Sequence, residues 1–167
     1  TPDWMQRRLA ATGWRSISLP VDITNYVMME VGVPLYCFNM EDLKGDLVMR
    51  KAEDSEHLVT LDGVDRPLMP GALVISDDEG VFDLLGIMGG LRSSTRPDST
   101  QLLLHSAALE PVRIHRTIVA MGHRTDAATV FEKGVANVTA VRGLARALAL
   151  LLQLAPAARI TSALRQT

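Results

Sequence analysis

The chain has 167 residues, with 17 Lys and Arg against 19 Asp and Glu, for a formal net charge of −2. Its 47% hydrophobic and 22% charged residues are the usage of a folded domain and exclude a disordered polyelectrolyte. The near balance of charge excludes a free-standing nucleic-acid binder held by a basic surface, because phosphate neutralisation supplies most of such affinity.

The first predicted element is a helix with Thr1 as N-cap, Pro2 in its first turn, Trp4, Met5 and Leu9 on its apolar face and Gly13 at its end. Ser16 to Leu19 reads as extended. Asp22 caps a second helix, with Ile23, Tyr26, Val27 and Val31 at helical spacing up to Gly32 and Thr24 and Asn25 on the polar side. From Pro34 to Ile87 short apolar runs alternate with turn residues, the pattern of an antiparallel sheet. The strand candidates are Leu47 to Lys51, His57 to Leu61, Ala72 to Ser76 and Val81 to Ile87. Asp62-Gly63 and Asp77-Asp78-Glu79-Gly80 supply turns. Leu91 to Thr100 is a polar loop, and Gln101 to Ser106 is a further strand.

The last third reads as helical. Pro111 opens a helix with Ile114, Ile118 and Met121 on one face and Gly122 behind it. Asn137 caps a longer one with Val138, Val141, Leu144, Leu148, Leu151 and Leu152 inward, so that Leu148→Ala is expected to cost ~2 to 5 kcal/mol. Pro156 ends it, and Ala157 to Thr167 is a weak strand candidate. Strands grouped between helices predict an α+β fold, with mixed, largely antiparallel β-sheet layers packed with helices at both ends of the chain.

The single cysteine, Cys37, excludes an internal disulfide and a cysteine-ligated zinc site, and points to a reducing, cytoplasmic setting. The run Ala147 to Ala155 is far short of the roughly 20 apolar residues of a membrane span. No signal peptide is evident. The chain opens at Thr1 with a helix start in place, so residues 1–167 are expected to be one domain cut from a longer polypeptide.

Gly86-Ile87-Met88-Gly89-Gly90 lacks the Lys and Ser/Thr of a Walker loop and the spacing of a dinucleotide fingerprint. It reads first as a tight strand exit and second as a place where backbone approaches a ligand. His57, His105, His115 and His123 have no metal-site spacing. Cys37 with His105 is nominally a nucleophile and base, although a lone Cys beside Phe38 is more often a small buried hydrophobe. Arg113, Arg116 and Arg124, with His115 and His123, make a locally basic stretch, either a solvated helix face or a contact for phosphates at an RNA end. The small and polar residues of His123-Arg124-Thr125-Asp126-Ala127-Ala128 leave room for a pocket wall.

Several segments in order resemble one family, the beta chain of bacterial phenylalanyl-tRNA synthetase in its central editing module. They are Val21-Asp22-Ile23-Thr24-Asn25-Tyr26-Val27-Met28, Pro34-Leu35, Leu61-Asp62-Gly63, Leu73-Val74-Ile75, Gly86-Ile87-Met88-Gly89-Gly90, Thr125-Asp126-Ala127 and Phe131-Glu132-Lys133-Gly134-Val135. The resemblance implies a module inserted in a phenylalanine-tRNA ligase subunit that hydrolyses tyrosine mistakenly attached to the phenylalanine tRNA. It implies the tRNA 3' end with its amino acid and the synthetase alpha chain as partners. No cofactor belongs to this module, ATP and Mg being implied only for the whole synthetase.

The same resemblance implies a pocket drawn from Thr24, Asn25, Gly89, Thr125 and Ala127. Tyr36 stands where the family has a histidine near the scissile ester, and His105 where it has the glutamate that reads the tyrosine hydroxyl. Ala128-Thr129-Val130 replaces a Ser-His-Arg. Polar residues change while glycines and apolar positions persist, as expected when a fold outlives its chemistry. Three readings stand at this point: a working ester hydrolase, an editing-inactive structural module, and a free-standing relative that binds a small molecule.

Overall fold

The computed structural model describes residues 1–165. Its elements in chain order are α1 (Asp3–Ala11), α2 (Leu19–Val31), β1 (Leu35–Asn39), a 3-10 turn at Met40–Asp42, β2 (Val48–Lys51), β3 (His57–Val59), β4 (Asp65–Pro67), β5 (Leu73–Asp77), β6 (Gly80–Leu84), β7 (Met88–Gly89), β8 (Leu102–Ser106), α3 (Pro111–Met121), α4 (Asp126–Phe131) and α5 (Asn137–Leu154). Every strand pair is antiparallel: β2-β5-β6-β7 form a four-stranded sheet, β3-β4 a hairpin and β1-β8 a ribbon. This is the expected α+β class.

The β1-β8 ribbon divides two hydrophobic cores, because successive side chains on a strand point to opposite faces. Phe38 belongs to the core built on β5, β6, α3 and α4. Leu35 belongs to the second, with α1, α2 and α5. Pairing is Leu35↔Ser106, Tyr36↔His105 and Cys37↔Leu104, so Tyr36 and His105 share the face of Phe38. Cys37 turns away from His105. The notional nucleophile and base are therefore separated by the sheet, and burial pushes the Cys37 thiol up to about 12.

Several boundaries differ from the sequence reading for local reasons. Helix α1 begins at Asp3, with the Pro2 carbonyl accepting from the amides of Met5 and Gln6; Thr1 instead donates to Asp22. Helix α2 begins at Leu19, three residues before Asp22, and Pro20 fits its first turn. The fully buried Asp22 reaches back to the Ile17 amide at 2.8 Å and to the Ser16 hydroxyl. Asn137 is the first helical residue of α5 and Ala136 precedes it. The strand expected at Val81 to Ile87 stops at Leu84, since Gly86 at φ +76° turns the chain into β7. Short β1, β4, β7 and α4 were not legible as separate elements. No strand forms over 157–165; the rest of that candidate, 166–167, lies outside the described residues.

The largest correction concerns α5. Val138, Val141 and Leu152, expected inward, are 56%, 49% and 40% exposed, while Ala140, Gly143, Ala147 and Leu150 are buried. A Cβ on Gly143 would collide with Val33 and touch Leu35 and Val27, so α5 packs on α2 through a seam of small residues. Leu144 and Leu151 flank that core, and Leu148 is only half-buried and outside it. Leu148→Ala is accordingly expected to cost about 1 kcal/mol or less, well below the figure the periodicity gave. A denaturant melt of the variant checks this, and a loss above ~2 kcal/mol would return Leu148 to the core.

Candidate functional site

The turn from β6 to β7 is held by packing. A Cβ on Gly86 would stand 2.6 Å from Ile114 and 2.7 Å from Leu109, and one on Gly90 would stand 2.5 Å from the Phe82 carbonyl oxygen. These two glycines serve the close approach of strand, loop and helix. Gly89 is different: a Cβ there meets Asp83 Oδ1 and Leu61 Cδ1 at 3.5 Å, ordinary contact. Gly89 pairs with Asp83 across β7 and β6.

Thr125 fastens α4 to this turn. Its hydroxyl donates to the Ile87 carbonyl at 2.7 Å and accepts from the Ala128 amide at 3.1 Å, so it is both anchor and helix cap. Ala127 is half-buried in the first turn of α4. At the other end Phe131, fully buried, lies parallel to the Tyr36 ring, with centroids 6.5 Å apart. Phe38 stacks on Tyr36 at 6.2 Å, and His105 is tilted against it at 6.1 Å.

Tyr36, Gly89, His105 and Thr125 thus surround one patch, with Ala127 on the adjoining helix. Thr24 and Asn25 are on α2; the Thr24 hydroxyl donates to the Val21 carbonyl, and among the described residues no hydrogen bond joins either to the patch. Ala128 is buried in the first core, and Thr129 donates to the Thr125 carbonyl.

Asp83 was missed from sequence. It is fully buried, neither carboxyl oxygen has a partner, and burial pushes it up to about 8. The Tyr36 hydroxyl nearby and His105 Nδ1, on the strand paired with Tyr36, are also buried. Burial, then the nearby Asp83, raises the Tyr36 phenol well above its ordinary value, and burial lowers His105. At neutral pH all three are uncharged. An acidic residue between Phe82 and Leu84 in an apolar run was the available signal.

The surface features read from sequence resolve differently. Arg113 donates to the Gly71 carbonyl and pairs with Glu110, and Arg124 pairs with Glu132, so much of the basic stretch is internally satisfied. Two surface hollows lie apart from the patch. One of about 370 Å³ is lined by Arg66, Met69 and Met121, the other of about 510 Å³ by Val112, His115 and Glu132. Among the described residues no group of three or more His, Cys, Asp and Glu is placed to hold a metal, and no helix is long and apolar enough to cross a membrane.

Residues 1–156 match the family described as the B3/4 domain. The phenylalanine–tRNA ligase beta subunit of Geobacter sulfurreducens is 44% identical over 156 residues, covering 93% of this chain and 20% of that protein. The corresponding subunit of Cutibacterium acnes is 39% identical over 153 residues, covering 92% and 18%. A crystallised N-terminal fragment of the phenylalanyl-tRNA synthetase beta subunit from Pyrococcus horikoshii gives a TM-score of 0.49 at 13% identity, over 69% of this chain and 40% of that one. The chain spans about a fifth of the length of the curated relatives it matches. With its motif-bearing turn, two-faced ribbon and flanking helices all inside the matched span, the chain belongs to the B3/4 domain family.

Proposed function

We propose that this chain is the B3/4 module of a phenylalanyl-tRNA synthetase beta subunit, that it serves phenylalanine attachment to tRNA alongside an alpha chain in the cytoplasm, and that its editing site is closed. Its role is then architectural within the synthetase, and it carries no cofactor of its own; ATP and Mg serve the whole enzyme. The likeness to beta subunits at 39–44% identity across almost the whole chain supports the assembly. One observation carries the closure: the Tyr36 ring is stacked against both Phe38 and Phe131, with its hydroxyl buried.

Editing of tyrosine is needed because a phenylalanine site rejects an isostere with one added hydroxyl only weakly. A second site that hydrolyses the mischarged ester must admit the aromatic ring and place a water on the carbonyl. Here an internal aromatic takes the room of the ring, and the Tyr36 hydroxyl, the Asp83 carboxyl and His105 Nδ1 are buried.

The test is a deacylation time course on tyrosyl-tRNA with the full synthetase carrying this chain, as wild type, Tyr36→His, His105→Glu and the double variant. The wild type is expected to add little to spontaneous hydrolysis. The double variant should recover more than the two single changes combined, since groups of one site are non-additive. Rapid hydrolysis by the wild type overturns the closed-site reading.

A further inference from the structure

Helix α5 carries a second apolar stripe besides the seam it packs on α2. Val138, Val141, Ala145, Leu148 and Leu152 recur at alternating spacings of three and four residues. All but Leu148 are exposed, and Leu148 belongs to neither hydrophobic core. The helical period puts this row on the side away from Ala140, Gly143, Ala147 and Leu150. At 1.5 Å per residue it is about 21 Å long. Single exposed aliphatic residues are ordinary, but a continuous row at the spacing by which helices interlock marks an interface.

The charges beside the row are of one sign. None of the 18 residues of α5 is Asp or Glu. Arg146 is paired with Glu30 of α2. Arg142 is exposed next to Val141, and among the described residues it is in no ion pair. At the same end Ala136 supplies no side-chain cap and the first turn of α5 holds no acid, so the positive end of the helix dipole is unopposed. A second copy of α5 brings no carboxylate to either feature. The remainder of a beta subunit can: this chain covers only 20% and 18% of the two relatives, and segments of one polypeptide meet at high effective concentration.

We propose that the Val138 to Leu152 row docks on an aliphatic helix elsewhere in the same beta subunit, one that carries Asp or Glu beside its apolar stripe. The proposal rests on the beta-subunit reading and goes beyond it. Ala145, small and central in the row, lets the two helices approach closely, and the partner's carboxylates meet Arg142 and the start of α5.

The test is the rate of maleimide labelling of Ala145→Cys, above the Cys37 background of the parent, in this chain alone and in the full synthetase carrying it. Labelling is expected to be ~10-fold or more slower in the synthetase, as for a docked face that is open less than about a tenth of the time. Arg116→Cys, exposed on α3, should label alike in both. Arg142→Glu should restore fast labelling at position 145 in the synthetase and leave the rate in the chain alone unchanged. A photoreactive side chain in place of the exposed Ala149 should cross-link to a beta-subunit segment outside the matched residues, and that segment should carry the acid-flanked aliphatic row. Equal labelling in the two settings, or cross-links to the alpha chain or to a second copy, overturn the docking and leave the beta-subunit reading standing. Failure of the chain to assemble with an alpha chain overturns both.

Discussion

Asp83→Asn is expected to raise the melting temperature at pH 8 while changing it little at pH 4. Asp83 ionises near 3.9 in an unfolded chain, whereas burial holds it at about 8 in the folded one. A raised acid favours the folded state only while both states keep the proton. Its contribution is complete below pH 4 and is lost progressively as pH rises to 8, where folding must hold a proton that the unfolded chain has released. At 1.36 kcal/mol per unit over about four units, the upper bound is ~5 kcal/mol, and ~3 kcal/mol allows for relaxation around the carboxyl. Asparagine has the same shape and no proton to lose.

For a chain of this length ~3 kcal/mol corresponds to roughly 6 to 12 °C. His105 slopes the other way: burial lowers it, so its contribution is present above about 6.5 and declines as pH falls through that value. The variant should therefore grow more stable from pH 5 to pH 7, where the wild type carries two opposing slopes. Thermal melts from pH 4 to 8 measure both. An identical shift at every pH would mean that Asp83 ionises like an exposed carboxylate and is reached by water.

Gly90→Ala is the second large effect, expected to cost ~3 kcal/mol or more. The added methyl would lie 2.5 Å from the Phe82 carbonyl oxygen, 3.2 Å from its carbon and 2.8 Å from Leu58 Cδ1. The Leu58 methyl can move. The carbonyl cannot, because it accepts the Gly90 amide at 2.8 Å as part of the joint between β6 and the strand exit. Gly89→Ala, one residue earlier, meets only ordinary contacts at 3.5 Å and should cost about 1 kcal/mol or less. Denaturant unfolding of the two variants tests the contrast directly. Equal losses would show that the motif resists substitution for a shared reason, such as a binding role, and not for the separate packing of each glycine.

Local chemistry was legible along the chain wherever one residue type dictates backbone conformation. Pro111 and Gly122 bracket α3, with Gly122 at φ +60°, and Asp77 to Gly80 closes the β5-β6 hairpin with Gly80 at φ +115°. Of the patch, Gly89, Thr125 and Ala127 were marked by the ordered motifs, and Tyr36 and His105 by their departure from them. β1, β4, β7 and α4 escaped because none shows a period that sets it apart from the loops beside it.

The inward face of α5 and the site's innermost residue depended on tertiary packing. A helical sequence says which residues share a stripe, and large aliphatic side chains on it are assigned inward by default. In α5 close approach to α2 reverses the assignment: Gly143 faces Val33 with no room for a methyl, and Val138 and Val141 stay outside. How near two helices come is set by partners remote in sequence, so neither segment alone encodes it. Asp83 follows the same logic. Its neighbours in sequence, Phe82 and Leu84, are core residues, but the phenol and the glycine near its carboxyl come from β1 and β7. Desolvation is a sum over atoms that only the folded chain brings together, and it turns a conventional acidic residue into a neutral one near the buried hydroxyl of Tyr36.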